Sequence, residues 1–351
     1  MPLKTSDFDY ELPPEFIAQE PVEPRDRSRL LVLHRSTGTI DNRFFYELLE
    51  YLRAGDLLVL NDSRVIPARL LGQKQDTGAK AEIMLLRSLG GGRWEALAKP
   101  SRRLKKGSTV VVNGSMAGGE KAGTSDRIVV EVLEEREGGI RTVRVQGEEY
   151  IEKLGKMPLP PYIHRPIANP QRYQTVYARN QGSVAAPTAG LHFTTELMAN
   201  LREKGVGLEF ITLHVGLDSF RTIKEENPEK HSLHKEYAII SEETAESVNR
   251  TRRNGGRVVY VGTTVTRAME QAALSSGLPL KPWSGWCDIL ILPGYRFKLM
   301  DVLITNFHPP RATQLMLVSA FAGRENVLSA YEEAKKLGYR FLSLGDAMLI
   351  L

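Results

Sequence analysis

Polar residues that could do chemistry stand directly after short apolar runs of the chain. Asp62 and Arg64 follow Leu57–Leu60, and His214 lies near the end of Phe210–Gly216. In α/β sheets, ligands gather beyond the carboxyl ends of the strands, because loops there present side chains on a rigid frame. The residues predicted to meet at such an edge are Asn61, Asp62, Arg64, Thr188, Gly190, His192, His214, Gly262, Thr263, Thr264, Arg267, Asn306, Phe307 and His308.

These residue types suit proton transfer and anion binding. Imidazole titrates near pH 6.5, so a histidine can accept or donate a proton at working pH. Threonine hydroxyls and free N–H groups at a helix start, as in Gly262-Thr263-Thr264, bind carboxylates or phosphates. Each segment alone also fits a structural histidine or a simple helix cap. Five segments at the ends of the same kind of strand together predict a site.

Several other kinds of site are poorly supported. No G-x-G-x-x-G or phosphate-loop motif is present, so a dinucleotide or nucleotide site of the usual kind is not expected. Cys287 is the single cysteine, which rules out an intrachain disulfide and a cysteine metal cluster. His231 and His234 could share a helix face and bind zinc, but no further ligands with metal spacing accompany them. We therefore expect no metal.

The predicted secondary-structure elements that position these residues follow two different patterns along the chain. Apolar runs predicted to be buried strands are Leu57–Leu60, Phe210–Gly216, Arg257–Gly262, Asp288–Leu292 and Asp301–Asn306. Helices are predicted over Thr194–Gly205, Glu242–Gly256 and Glu325–Tyr339. This alternation predicts a mostly parallel α/β unit. From about Val65 to Gly147, period-2 segments separated by glycine turns predict an inserted antiparallel barrel or sandwich. The expected domains are 1–64 with 151–351, and 65–150.

The composition is that of an ordinary globular protein with a modest positive charge. The 351 residues carry a net charge of +5, which permits a nucleic-acid partner without requiring one. Basic residues cluster at Arg25, Arg27 and Arg29, at Arg102, Arg103, Lys105 and Lys106, and at Arg252, Arg253 and Arg257. A solvated surface is the alternative for each cluster. No apolar run approaches the roughly 20 residues of a membrane helix, and no secretory signal is evident, so a cytoplasmic setting is expected.

At these residues the sequence resembles the S-adenosylmethionine:tRNA ribosyltransferase-isomerases of queuosine biosynthesis. The segments that carry the resemblance run nearly end to end: Ser6–Leu33, Leu60–Leu70, Lys99–Gly107, Pro158–Ile163, Arg172–Ala178, Ala186–Thr194, Gly262–Glu270, Pro293–Phe297, Thr305–His308 and Leu315–Gly323. The resemblance implies a distorted α/β barrel with an inserted small antiparallel β-barrel domain. It also implies transfer and rearrangement of the ribosyl part of S-adenosylmethionine onto a 7-aminomethyl-7-deazaguanine at the tRNA wobble position, without a cofactor.

Within that reaction, the resemblance gives the residues provisional roles. His192, His214 and Asp62 are candidates for proton transfer, and Tyr295, Asn306 and Phe307 could hold or stack the bases. The groups expected to position S-adenosylmethionine or a phosphate are Arg64, Thr188, Thr263, Thr264 and Arg267, and those expected to contact tRNA are Arg25, Arg27, Arg102, Arg103, Lys105 and Lys106. An RNA methyltransferase and a non-catalytic tRNA-binding protein remain alternatives.

The sequence departs from the family pattern at a few positions. Asp218 stands where glycine is expected, Leu233 where methionine is, and Pro309 where leucine is. Aspartate tolerates left-handed backbone geometry, so Asp218 is predicted to be a turn residue; the alternative is that it faces a cation in the site.

Overall fold

A computed structural model of the chain describes residues 3–114, 126–136, 139–216, 223–233 and 235–351. Asp218 and His234 lie outside the described residues. The chain divides into two compact units. The larger unit comprises Met1–Ser63, Pro160–Asn180 and Ala186–Leu351, and the smaller unit comprises Arg64–Leu159 and Gln181–Ala185.

The strands and helices have the following bounds. The strands are β1 (Arg29–His34), β2 (Thr39–Phe44), β3 (Leu57–Asn61), β4 (Ser63–Val65), β5 (Arg69–Lys74), β6 (Lys80–Gly90), β7 (Arg93–Lys99), β8 (Thr109–Asn113), β9 (Arg127–Glu135), β10 (Ile140–Gln146), β11 (Asn180–Ser183), β12 (Gly207–Leu213), β13 (Glu236–Ile240), β14 (Val258–Val261), β15 (Trp283–Cys287), β16 (Val302–Asn306) and β17 (Ala347–Ile350). The helices are α1 (Leu48–Tyr51), α2 (Ile151–Leu154), α3 (Thr195–Glu203), α4 (Glu242–Arg253), α5 (Thr263–Ser276), α6 (Thr313–Ala322) and α7 (Arg324–Lys336).

The larger unit contains a nine-stranded mixed sheet in the order β15-β13-β12-β3-β14-β16-β17-β1-β2. Strands β12, β3, β14 and β16 run parallel, so their carboxyl ends lie at one edge. Every residue of β3, β14 and β16 is buried, as expected for parallel strands covered on both faces. The core between the sheet and α3 includes Leu58, Leu60, Val259, Ile304 and Phe193.

An ion pair joins the amino-terminal ends of the central strands. Asp56, just before β3, has a fully buried side chain and accepts hydrogen bonds from Arg257 Nη2 at 2.6 Å and Nε at 3.1 Å. Its carboxylate also accepts from the backbone N–H of Arg53 at 3.0 Å, while its carbonyl accepts from Gly207 N at 2.8 Å. Although burial alone would raise it, the hydrogen bonds from Arg257 and Arg53 hold the pKa of Asp56 below its usual range. Asp56 thus ties β3 to the starts of β14 and β12.

The helices follow the sequence signals that predicted them. The Thr194 hydroxyl caps α3 by accepting from Leu197 N at 3.1 Å, and Ser241 caps α4 by accepting from Thr244 N at 3.2 Å. Acidic residues begin α4 and basic residues end it, which suits the helix dipole. Among the described residues, no helix is both long and apolar enough to cross a membrane.

The smaller unit is a closed six-stranded barrel in the order β10-β7-β6-β5-β8-β9. All of its neighbouring strands are antiparallel. Buried and more exposed residues alternate along β6 and β9, as a one-sided interior requires. The predicted α/β class with an inserted antiparallel β-barrel is therefore confirmed. In the described part of the larger sheet, the outermost strands β15 and β2 do not pair with each other.

One predicted strand is wrong. Asp288–Leu292 has no strand structure; the strand is β15, which ends at Cys287. Four apolar residues in a row fit a strand by pattern alone, but this segment is mostly half-buried and has an irregular backbone. Strands β1, β2 and β17 at one side of the large sheet were also not predicted; β17 pairs antiparallel with β16 and parallel with β1, and β2 pairs antiparallel with β1.

Candidate active site

Two adjoining cavities lie in the larger unit where the parallel strands end. The first is lined by Thr188, Ala189, Val215, Gly262, Asn306 and His308, together with residues from 342–343. The second is lined by Gly216, Glu236, Arg267 and Ile289–Ile291. Thr263, Thr264 and Gln314 line both. The structure therefore brings together segments that follow β12, β14 and β16 and the segment around Thr188, whereas Asp62, which follows β3, and His214 line neither cavity.

The amino-terminal end of α5 forms one wall shared by both cavities. Gly262 precedes the helix with φ of 97°, a conformation that favours glycine, and no side chain caps the helix there. The first N–H groups of a helix have no partner within it and carry the positive end of the dipole. The buried Thr264 hydroxyl also has no hydrogen-bond partner in the described part of the chain. These groups can bind an anionic group such as a carboxylate.

A chain of side-chain hydrogen bonds runs from the first cavity into the core. The Thr188 hydroxyl donates to Asn306 Oδ1 at 3.0 Å. Asn306 Nδ2 lies 3.2 Å from His192 Nε2 and 3.4 Å from the Leu342 carbonyl. His192 Nδ1 lies 2.7 Å from Ser28 Oγ. Burial, aided by the charges of nearby arginines, lowers the pKa of His192 to about 3, so its imidazole is neutral.

Asp62 and His214 form a second polar group after β3 and β12. Asp62 is 6% exposed, and its carboxylate accepts from Thr212 Oγ1 at 2.7 Å and from Asn180 Nδ2 at 3.1 Å. His214 is half-buried, and its Nδ1 has no hydrogen-bond partner among the described residues. Burial holds the pKa of His214 below its usual value, although the charge of Asp62 acts in the opposite direction. His214 is thus a neutral imidazole with an unused ring nitrogen.

Arg267 is held in place by a buried partner at the second cavity. Its Nη1 donates to Glu236 Oε2 at 2.7 Å, and its Nε donates to the Ile289 carbonyl at 3.2 Å. The other carboxylate oxygen of Glu236 accepts from Gly216 N at 2.9 Å. Glu236 therefore fixes both the guanidinium and the backbone that follows β12, and part of the charge of Arg267 is neutralised before any ligand binds.

Known proteins match the chain over almost its full length. A sequence profile described as queuosine biosynthesis protein matches residues 5–350. The chain belongs to the queuosine biosynthesis protein family. An S-adenosylmethionine:tRNA ribosyltransferase-isomerase from Dehalococcoides mccartyi (strain CBDB1) is 55% identical, covering 99% of this chain and 100% of that protein. The one from Symbiobacterium thermophilum is 50% identical over the same shares. The crystal structure of the S-adenosylmethionine tRNA ribosyltransferase from Thermotoga maritima matches with a TM-score of 0.56 and 40% identity, covering 99% of this chain and 100% of that one.

Membership of the queuosine biosynthesis family makes this chain an enzyme, a ribosyltransferase-isomerase. Four residues predicted for the site serve the structure of the protein. Asn61 is fully buried and bonds the backbone of Leu213 through both amide atoms. The ring of Phe307 is fully buried, 4.7 Å from that of Phe341, so it cannot stack on a base.

Gly190 and Tyr295 serve packing and loop structure in this family member. A Cβ on Gly190 would lie 2.1 Å from the Tyr177 hydroxyl, so glycine is required by close packing and not by a ligand. The Tyr295 hydroxyl donates to the buried Glu270 carboxylate at 2.9 Å. Arg64, predicted to position a substrate, belongs to the smaller unit. His308 lines the first cavity, where its Nε2 lies 2.8 Å from Thr305 Oγ1.

The residues predicted to contact tRNA differ in their availability. Arg102, Arg103, Lys105 and Lys106 are all exposed on the smaller unit, and none makes an ion pair within the described residues. Arg141 fixes their loop by donating to the carbonyls of Leu104 and Ser101, each at 3.2 Å. Arg25 instead donates to the carbonyls of Leu191 at 3.2 Å and Gln171 at 3.0 Å within the larger unit. Arg27 is exposed.

Several residues of the site were missed by sequence reasoning. Ser28, Asn180, Thr212 and Glu236 each bond a predicted site residue. Glu236 could have been found, because it ends the segment that contains His231 and His234. The others carry no sequence signal, since a serine or threonine in such segments is ordinary. In the parts of the chain that the structure describes, no cluster of three metal-binding side chains occurs.

Proposed function

We propose that the protein transfers and isomerises the ribosyl part of S-adenosylmethionine onto the 7-aminomethyl-7-deazaguanine wobble base of tRNA. The products are epoxyqueuosine in tRNA, adenine and methionine. The observation that carries the proposal is the full-length match to relatives that are named for S-adenosylmethionine and tRNA. S-adenosylmethionine is a co-substrate in this reaction, no metal or redox cofactor takes part, and the enzyme works in the cytoplasm.

The ends of β3 and β12 and the amino-terminal end of α5 supply groups that this reaction needs. The sulfonium of S-adenosylmethionine acidifies its neighbouring 5′ C–H, so a positioned neutral base can remove that proton. His214 fits this role because burial keeps it neutral and its Nδ1 is unused. The amino-terminal end of α5 would hold the methionine carboxylate beside the reacting centre. Asp62 would support the protonated imidazole through its negative charge.

The products test the proposal. The enzyme should release adenine and methionine in equal amounts, and only with tRNA that carries the aminomethyl deazaguanine base. Mass spectrometry of the small molecules checks this result. Stoichiometric S-adenosylhomocysteine would instead identify a methyltransferase. Binding of tRNA without any S-adenosylmethionine turnover in a single-turnover assay would identify a non-catalytic RNA-binding protein.

Neutralising the exposed basic loop should weaken tRNA binding. In Arg102→Gln/Lys105→Gln, the plot of log affinity against log salt concentration should become shallower by roughly 0.7 to 0.9 per lost phosphate contact. Filter binding at several salt concentrations measures this slope. Arg136→Gln/Arg144→Gln is the matched control, because both arginines are on the same unit but already paired with glutamates. An identical slope in wild type and both variants would make the loop an ordinary solvated surface.

A further inference from the structure

The orientation of the Asn306 amide is fixed by its surroundings. The nitrogen Nδ2 lies 3.4 Å from the Leu342 carbonyl, which can only accept. With the amide reversed, two carbonyl oxygens would face each other in the interior, which is unfavourable. Nδ2 therefore also donates to His192 Nε2, 3.2 Å away, and Oδ1 is left as the acceptor for Thr188.

The same reasoning fixes the proton on His192. Because Nε2 accepts from Asn306, a neutral imidazole carries its proton on Nδ1 and donates it to Ser28 Oγ at 2.7 Å. Both ring nitrogens are then occupied inside the core, and the ring stacks on Phe45 with centroids 5.0 Å apart. His192 is 5% exposed, and neither of its ring nitrogens is left to exchange a proton with a substrate.

The Thr188 hydroxyl can form further hydrogen bonds only as an acceptor. A hydroxyl has a single proton, and that of Thr188 goes to Asn306 Oδ1 at 3.0 Å. Only lone pairs remain on the side that lines the first cavity. We infer that Ser28, His192 and Asn306 form a neutral hydrogen-bond chain that makes Thr188 an acceptor, so that the substrate group bound there is an N–H or O–H donor.

This inference rests on the proposed function and changes two roles that were expected from the sequence. His192 becomes a positioning residue that acts through Asn306, and not a proton-transfer group. Thr188 no longer suits a carboxylate or phosphate, because an oxygen with only lone pairs repels an anion. An anionic group of the substrate would instead bind at the amino-terminal end of α5. The donor at Thr188 is an ammonium, amine or hydroxyl of S-adenosylmethionine or of the tRNA base.

The state of His192 can be measured without any activity. In protein labelled with ¹⁵N-histidine, the signals lost in His192→Gln belong to His192. They should show a neutral ring with the proton on Nδ1 from pH 5 to 8. Titration in this range, or a proton on Nε2, would overturn the chain.

Conservative and disruptive variants separate positioning from proton transfer. The amide oxygen of His192→Gln can accept from Asn306 as Nε2 does, so kcat/KM should stay within about tenfold of wild type. His192→Ala removes the acceptor and should fall at least tenfold below His192→Gln. If both folded variants, judged by circular dichroism, are equally inactive, His192 transfers a proton and the inference is wrong.

Variants of Thr188 identify the donor. Thr188→Val should bind S-adenosylmethionine about tenfold more weakly in calorimetry, as expected for one lost hydrogen bond, while Thr188→Ser retains binding. An unchanged Kd with a raised KM for tRNA would assign the donor to the base. If neither constant changes, Thr188 accepts from no substrate and the inference is overturned. A wild-type enzyme that releases no adenine would contradict the proposed function, but the ¹⁵N result would still stand.

Discussion

Replacing His214 by alanine is expected to lower kcat/KM by about 10²- to 10⁴-fold, the usual contribution of a positioned general base. The physical reason is the combination of a neutral imidazole and an unpartnered Nδ1 beside Val215, which lines the first cavity. Steady-state adenine release measures the loss, and calorimetry with S-adenosylmethionine should show a nearly unchanged Kd. His164→Ala is the control, because that histidine is exposed and follows none of the parallel strands β3, β12, β14 and β16.

The pH dependence of kcat/KM tests the same role of His214, because the direction of its change can be predicted. The base form of His214 grows as the pH rises through its pKa, which burial places below 6.5. The acidic limb of kcat/KM should therefore have its midpoint below pH 6.5. Asp62→Asn removes the charge that raises this pKa, so the midpoint should move to lower pH. If His214→Ala keeps wild-type kcat/KM, or Asp62→Asn leaves the limb in place, another group is the base.

Replacing Asp56 by alanine is expected to lower the free energy of unfolding by up to about 3–5 kcal/mol, the cost of breaking a buried ion pair, because the Arg257 side chain, which is 25% exposed, is left without its fully buried partner. Arg257 would lose its carboxylate, and the backbone N–H of Arg53 would lose its acceptor. Urea unfolding followed by circular dichroism measures the change. Glu20→Ala is the control, because Glu20 and Arg165 form an ion pair that is about two-thirds exposed; its change should stay within about 0.5 kcal/mol.

The contribution of the Asp56 ion pair to stability should also depend on pH in a predictable direction. A carboxyl whose pKa is depressed in the folded state stabilises the protein above its unfolded pKa of about 3.9, and this stabilisation is lost as the pH falls through the folded pKa. The difference between wild type and Asp56→Asn should be full at pH 7 and should narrow below about pH 4. A difference that is constant across this range would mean that the charge of Asp56 contributes nothing.

Much of the fold could be predicted from local pattern, because burial imposes it directly. The apolar run at β3 predicts a strand that is buried on both faces. The period-2 segments at β6 and β9 predict strands with one buried and one exposed face. The capping residues Thr194 and Ser241 likewise mark where α3 and α4 begin. Strand order could not be predicted this way, because β17 pairs with β1 across most of the chain length. The position of β15 was also missed, since the four-residue apolar run Ile289–Leu292 fits more than one structure.

The sequence indicated which residues lie near the candidate site better than it indicated what each side chain does there. Segments after parallel strands must meet at one edge, so Thr188, Gly262 and Asn306 could be grouped from the sequence. The state of a side chain, however, depends on what surrounds it. His192 and His214 look alike in sequence, but one has both ring nitrogens occupied in the core and the other has one unused. Neither Ser28 nor Thr212 could be assigned without knowing the fold.

The Asp56 pair and the cavities occupy opposite ends of the same strands. Asp56 precedes β3 and Arg257 precedes β14, whereas Asp62 and Gly262 directly follow these strands. A protein engineer can therefore treat the two ends separately. Mutations of residues around Asp56 and Arg257 are the place to search for heat-tolerant versions, with the cavity end of the strands left untouched. Mutant libraries aimed at altered substrates should target the loops at the carboxyl ends of the strands. These loops can vary without disturbing the ion pair between Asp56 and Arg257.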